Sequence, residues 1–207
     1  MTRVKICGIR CLEEAIAARE AGAWAIGQVF APSPRRLEVD VAAAINRKLG
    51  RTILKIGVFV NEEVEDLRRI AASCRLDMVQ LHGDEEPAYL EEVSVPVIKS
   101  FRMRGSLELE QLRRWRPWAY LFDSYRPGVY GGTGESFDWS FLQEIARQER
   151  IILAGGLNTE NVGRAIHQLR PMAVDVSSGV EYPGGGKDPA KIREFINIVQ
   201  EQAAEYL

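Results

Sequence analysis

A cysteine, an aspartate and two glycine–serine turns carry the chemistry legible in this chain. Cys7 closes the apolar run Val4-Lys-Ile-Cys7 and precedes Gly8, which leaves space beside the thiol. A free thiol titrates near ~8.5, so it can act as a proton-abstracting base where neighbouring positive charge favours the thiolate. Buried cysteine is also ordinary packing. Asp123 follows Tyr-Leu-Phe, where a carboxylate would be an awkward core residue, so it reads as a general acid working in a partly desolvated site. Leu153-Ala-Gly-Gly-Leu157 and Val174-Asp-Val-Ser-Ser-Gly-Val180 each set small residues just after an apolar run. Side by side, the backbone amides of Gly155, Gly156, Ser177, Ser178 and Gly179 would form an anion cradle suited to phosphate.

Other polar residues at the ends of apolar runs join these candidates: Gln80, His82 and Asp175, with Arg36 in the loop Pro32-Ser-Pro-Arg-Arg-Leu37. A guanidinium pairs well with a carboxylate, though spacing does not choose between Arg36 and Arg35. Tyr130-Gly-Gly-Thr-Gly134 is long enough to fold over a ligand, or to be a plain connection. It lacks the Lys-Ser/Thr ending of a nucleotide P-loop, which excludes a nucleoside triphosphatase. Cys7 and Cys11 have neither redox nor metal spacing and no further ligand cluster follows, so no metal site is expected. His167 lies within a helical pattern and reads as surface or packing.

Eight strand–helix units must position these side chains. Strands are expected at Val4–Cys7, Ala25–Phe30, Ile53–Val60, Asp77–Leu81, Val97–Phe101, Ala119–Asp123, Ile151–Ala154 and Ala173–Val176. Helices are expected at Leu12–Ala21, Val39–Leu49, from an N-cap at Asn61, at Glu86–Glu92, Leu107–Arg114, Asp138–Arg147, from Asn158, and at Pro189–Ala204. Such alternation means an α/β fold with a parallel sheet. At this length it favours a (β/α)8 TIM barrel, one domain over residues 1–207, in place of an open doubly wound sheet. In a barrel the C-terminal strand ends share one pocket, with phosphate held after the seventh and eighth strands.

Bulk properties narrow the class. The 207 residues are 46% hydrophobic with a net charge of −2, so there is no basic field for nucleic acid. No apolar stretch matches a membrane span, and the N-terminus lacks the apolar core of a signal peptide. Three cysteines argue against a disulfide framework and for a reducing cytoplasm. A monomer or homodimer acting on a small molecule is the expectation.

Taken in order, Lys5-Ile-Cys-Gly-Ile9, Gly57-Val-Phe-Val-Asn61, Val79-Gln-Leu-His-Gly83, Asp123, Gly131-Gly-Thr-Gly134, Phe137-Asp-Trp139, Ala154-Gly-Gly-Leu-Asn158 and Val174-Asp-Val-Ser-Ser-Gly-Val-Glu181 resemble phosphoribosylanthranilate isomerase over essentially the whole chain. The resemblance implies a cofactor-free barrel of tryptophan biosynthesis. It would convert N-(5-phosphoribosyl)anthranilate to 1-(2-carboxyphenylamino)-1-deoxyribulose 5-phosphate, an Amadori rearrangement of the aldose–ketose type. It further implies Asp123 as general acid and Cys7 as general base. Arg36 would hold the anthranilate carboxylate, the two small-residue turns the phosphate, and Asp175 would orient pocket groups. Departures from the family pattern are Arg10 where threonine is frequent, Gln28 in place of an aromatic residue, and Glu135 in place of lysine. The competing readings are a related phosphosugar isomerase of histidine biosynthesis, disfavoured because Cys7 stands where that family would use an aspartate, and a non-catalytic phosphosugar-binding barrel.

Overall fold

Side chains alternate with a period of two along a strand, so each strand divides its residues between two destinations. On β1 (Arg3–Cys7), Val4 and Ile6 pack outward against helices, which turns Lys5 and Cys7 inward. The same parity sends Val79 and Leu81 of β4 (Met78–Leu81) outward, with Tyr120 and Phe122 of β6 (Ala119–Ser124) and Val174 and Val176 of β8 (Ala173–Val176). Gln80, Asp123 and Asp175 are thereby left facing the lumen.

The structure, a computed structural model, describes residues 1–103, 105, 108–124 and 137–204. With β2 (Ala25–Val29), β3 (Leu54–Phe59), β5 (Val97–Met103) and β7 (Ile151–Leu153), the strands pair in parallel and in sequence order, and β8 returns to β1 to close an eight-stranded barrel. Lys5 sits in register with Asp175 across the closing pair. Around the barrel run α1 (Leu12–Glu20), α2 (Val39–Leu49), α3 (Val64–Cys74), α4 (Pro87–Glu91), α5 (Leu109–Leu112), α6 (Gln143–Gln148), α7 (Val162–Leu169) and α8 (Pro189–Ala204). Two apolar clusters result. Ala25, Ile56, Met78, Ile98, Leu121 and Ile152 fill the lower lumen, and a larger cluster lies between sheet and helices. Burying each such aliphatic side chain contributes about 1.5–3 kcal/mol, so the plugged lumen is itself a stabilising core and only its C-terminal mouth remains for chemistry.

Local side-chain bonds move several element boundaries from those expected. Asn61 does not cap α3, which starts three residues later after Glu63. Its backbone is left-handed (φ 49°), and its side-chain oxygen instead accepts from the Asp84 amide at 2.7 Å. Asn158 likewise opens no helix directly. Its Oδ1 accepts from the amides of Glu160 and Asn161 at 2.9 and 3.1 Å, forming a turn that delays α7 to Val162. Asp138 begins with a 3₁₀ turn at Trp139–Leu142 before α6. The proline-containing Trp115–Trp118 stretch leaves α5 as a single turn. The Tyr130–Gly134 loop, Glu135 and Leu107 lie outside the described residues.

Candidate active site

Strand ends β1, β4, β6, β7 and β8, with the loop after β2, enclose one cavity of about 430 Å³ at the barrel mouth. Its wall includes Cys7, Gln80, His82, Asp123, Gly155, Gly156, Asp175, Ser177 and Ser178, so the predicted base, acid and anion cradle share one space. Asp123 is 4% exposed; its Oδ1 accepts the Ser124 amide at 2.7 Å, and its Oδ2 lies 3.4 Å from His82 Nε2. Gly155 makes that position possible. Its φ is +85°, and a Cβ there would collide with the Ser124 amide nitrogen and come within 2.9 Å of Asp123 Oδ1.

Cys7 is half-buried and shares the floor with Lys5, whose Nζ is wholly enclosed and donates to Asp175 Oδ1 and Gln80 Oε1, each at 2.9 Å. Gly27 provides room here, since a Cβ at that position would stand 2.7 Å from Cys7 Sγ and 3.1 Å from Lys5 Nζ. Burial opposes the Lys5 charge, but Asp175 and Cys7 outweigh it and raise the ammonium above its ordinary value. For Cys7 the balance runs the other way. Burial, reinforced by the Asp175 charge, pushes the thiol up despite Lys5 and Lys187. Positive charge is present beside the thiol, but burial and Asp175 outweigh it.

At the opposite edge, Glu181 receives two bonds from Arg35 at 2.8 Å each and one from Lys187 Nζ at 2.6 Å. Lys187 also donates to the Ser177 carbonyl at 3.1 Å. This clip ties the loop after β2 to the loop after β8, beside the small-residue turns. Gly179 packs these turns together: a Cβ on it would overlap the Leu157 carbonyl oxygen.

A family model described as N-(5'-phosphoribosyl)anthranilate (PRA) isomerase matches residues 4–198. The chain belongs to the phosphoribosylanthranilate isomerase family. It is 93% identical over 203 residues to the N-(5'-phosphoribosyl)anthranilate isomerase of Syntrophomonas wolfei subsp. wolfei, covering 98% of this chain and 100% of that one. It is 50% identical over 197 residues to that of Citrifermentans bemidjiense, covering 95% of this chain and 96% of that one. Among solved structures, phosphoribosyl anthranilate isomerase from Thermotoga maritima superposes with a TM-score of 0.90 at 40% identity, covering 97% of this chain and 100% of that one. A phosphoribosyl anthranilate isomerase in complex with reduced 1-(o-carboxyphenylamino)-1-deoxyribulose 5-phosphate superposes at 0.86 with 38% identity, covering 97% and 100%.

Within this barrel, two expected site residues stand apart from the cavity wall. Arg36 is exposed, its backbone bridged to Val29, while Arg35 lines the wall and is committed to Glu181. Gly179 lies behind the wall, where the two turns meet. Gln28 points away from the lumen and exchanges two hydrogen bonds with Asn46 of α2 at 3.0 and 2.9 Å, so this departure belongs to strand–helix packing. His167 is exposed on α7. Sequence reasoning passed over Lys5, Glu181 and Lys187. Parity could have found Lys5, two residues before Cys7 on the same strand; the ion-paired clip had no comparable signal.

Proposed function

We propose that this chain catalyses the Amadori rearrangement of N-(5-phosphoribosyl)anthranilate to 1-(2-carboxyphenylamino)-1-deoxyribulose 5-phosphate, a step of tryptophan biosynthesis. The observation that carries the reading is the family match across residues 4–198, on a barrel whose mouth gathers Cys7 and Asp123 into one cavity. Asp123 protonates the furanose ring oxygen as the C1–O bond opens, leaving a cationic imine. Cys7 then takes the proton from C2, and the enolamine tautomerises to the ketone. The imine is an electron sink, so a modest base suffices. Its positive charge beside the sulfur also favours the thiolate that burial otherwise disfavours.

Binding follows from the remaining groups. Amides around Gly155, Gly156, Ser177, Ser178 and Gly179 take the phosphate. Because Arg35 is held by Glu181, Arg36 is the rim guanidinium with no ion pair among the described residues, which suits it to the anthranilate carboxylate. The free cysteines suit a reducing cytoplasm, and the net charge of −2 offers nothing to nucleic acid. The test is loss of anthranilate-type fluorescence with freshly made phosphoribosylanthranilate. Cys7→Ala and Asp123→Ala should each fold and each lose roughly 10²- to 10⁴-fold in kcat. Near-normal turnover in both would remove the acid and base assignments.

A further inference from the structure

A wholly enclosed lysine on the floor of an active site calls for a reason, because burying an ammonium is costly unless its donors are spent. Lys5 has donors and no acceptor, so the group 2.9 Å from its Nζ on Gln80 must be the amide oxygen. That fixes the amide: its nitrogen turns the other way, to within 2.9 Å of His82 Nδ1. An amide nitrogen only donates, so Nδ1 must be the accepting atom and the imidazole proton must sit on Nε2. Among the described residues Nε2 makes no hydrogen bond although His82 is only 7% exposed, and it faces Asp123 Oδ2 at 3.4 Å, too poorly aligned for one. Each link forces the next, from Asp175 and Lys5 on the base side of the cavity to His82 on the acid side.

We propose that Lys5 and Gln80 are positioning residues that hold His82 as its Nε2–H tautomer, keeping a buried N–H donor beside the Asp123 carboxyl. The proposal deepens the reading of Asp123 as the acid and rests on it for its catalytic consequence. As the C1–O bond opens, the Asp123 proton moves to the ring oxygen and the electron pair left behind makes a carboxylate. The His82 N–H faces that developing charge and keeps its own proton throughout. With the opposite tautomer a lone pair would face the carboxylate.

The test is the imidazole nitrogen spectrum of ¹⁵N-labelled free protein, which is simple because the chain has two histidines. A His167→Gln variant assigns the signals. In the wild type, His82 should show a protonated Nε2 and a bare Nδ1. Gln80→Glu keeps size and the Lys5 contact but presents only acceptors, so Nδ1 should gain a proton. Its kcat should fall roughly 10²-fold with KM nearly unchanged, the scale for losing one preorganised donor, because the ring either loses Nε2–H or becomes a cation that holds Asp123 as carboxylate. Lys5→Met frees the amide to turn and should give a mixture of tautomers. A wild-type ring protonated on Nδ1, an unprotonated Nδ1 in Gln80→Glu, or full kcat in that variant would each overturn the proposal. Should Asp123→Ala stay active, the acid assignment fails by itself, since the tautomer is read without substrate.

Discussion

Glu181 is the residue that fastens the loop after β2 to the loop after β8 at the mouth. Burial works against its charge, but hydrogen bonds from Arg35 and Lys187, with their positive charges, outweigh burial and hold the carboxyl down at about 2. An unfolded glutamate titrates near 4.5, so the stabilisation is complete above that value and is lost as pH falls through the folded value. The difference corresponds to at most ~3 kcal/mol for a half-buried group. Glu181→Gln should therefore lower unfolding free energy by up to that amount at neutral pH, and the gap to wild type should shrink by more than half at about pH 3. Urea titrations of both proteins at the two pH values check this; a gap independent of pH would refute it. Arg36 carries the complementary prediction for binding. Removing an exposed guanidinium that takes a carboxylate forfeits about 1.5–3 kcal/mol of a charge-assisted bond, so Arg36→Ala should raise KM roughly 10- to 100-fold with little change in kcat, measured by steady-state fluorescence. An effect confined to kcat would place the carboxylate elsewhere.

At the scale of elements, the loop after β4 is held by a charge buried beneath it. Lys99 Nζ donates to Glu85 Oε2 at 2.7 Å and to the Gly83 carbonyl at 2.8 Å, with both charged side chains at most 3% exposed. The Glu85 carboxylate also accepts the amides of Asn61 and Gly83, so it ties the ends of β3 and β4 beside His82. Breaking a buried pair from one side leaves a charge uncompensated, at about 3–5 kcal/mol. Lys99→Met should cost that much in chemical unfolding and also lower activity by loosening His82; a loss within ~1 kcal/mol would show that the loop holds its shape without the pair. This pair illustrates what the sequence left unread. Strand positions were legible because apolar runs of the right length recur with strand–helix alternation, and Cys7 and Asp123 were legible because reactive side chains closed such runs. Asn61 misled because an asparagine before two glutamates is a sound N-cap locally, and only the distant Asp84 amide outbids the helix for its oxygen. Lys99 and Lys5 were silent on their partners for the same reason, and Glu181, outside any strand, had not even parity to announce it. A charged residue within a strand declares its parity, but not the partner that makes burial tolerable.

Across the whole molecule, stability and chemistry occupy opposite ends of the barrel. The mouth holds Cys7, Asp123 and the small-residue turns, whereas the lower end is closed by Trp24 and Trp118, stacked with ring centroids 6.0 Å apart and planes 18° from parallel. The Arg3 guanidinium lies over the Trp24 ring at 5.5 Å and that of Arg150 over Trp118 at 5.3 Å, so each ring of the pair also meets a cation. Trp24 precedes β2 and Trp118 precedes β6, so the stack braces strands that share no hydrogen bonds. Aromatic pairs contribute about 0.5–1.5 kcal/mol beyond the area they bury. A double-mutant cycle with Trp24→Ala and Trp118→Ala should therefore return a coupling of about 1 kcal/mol in unfolding free energy, on top of a few kcal/mol lost by each single variant. Both variants should keep wild-type kcat and KM at a temperature where they remain folded, because a plugged lumen separates them from Cys7 and Asp123. Additive single losses would show that the rings are independent space-fillers, and a fall in kcat without unfolding would show that the lower core positions the mouth.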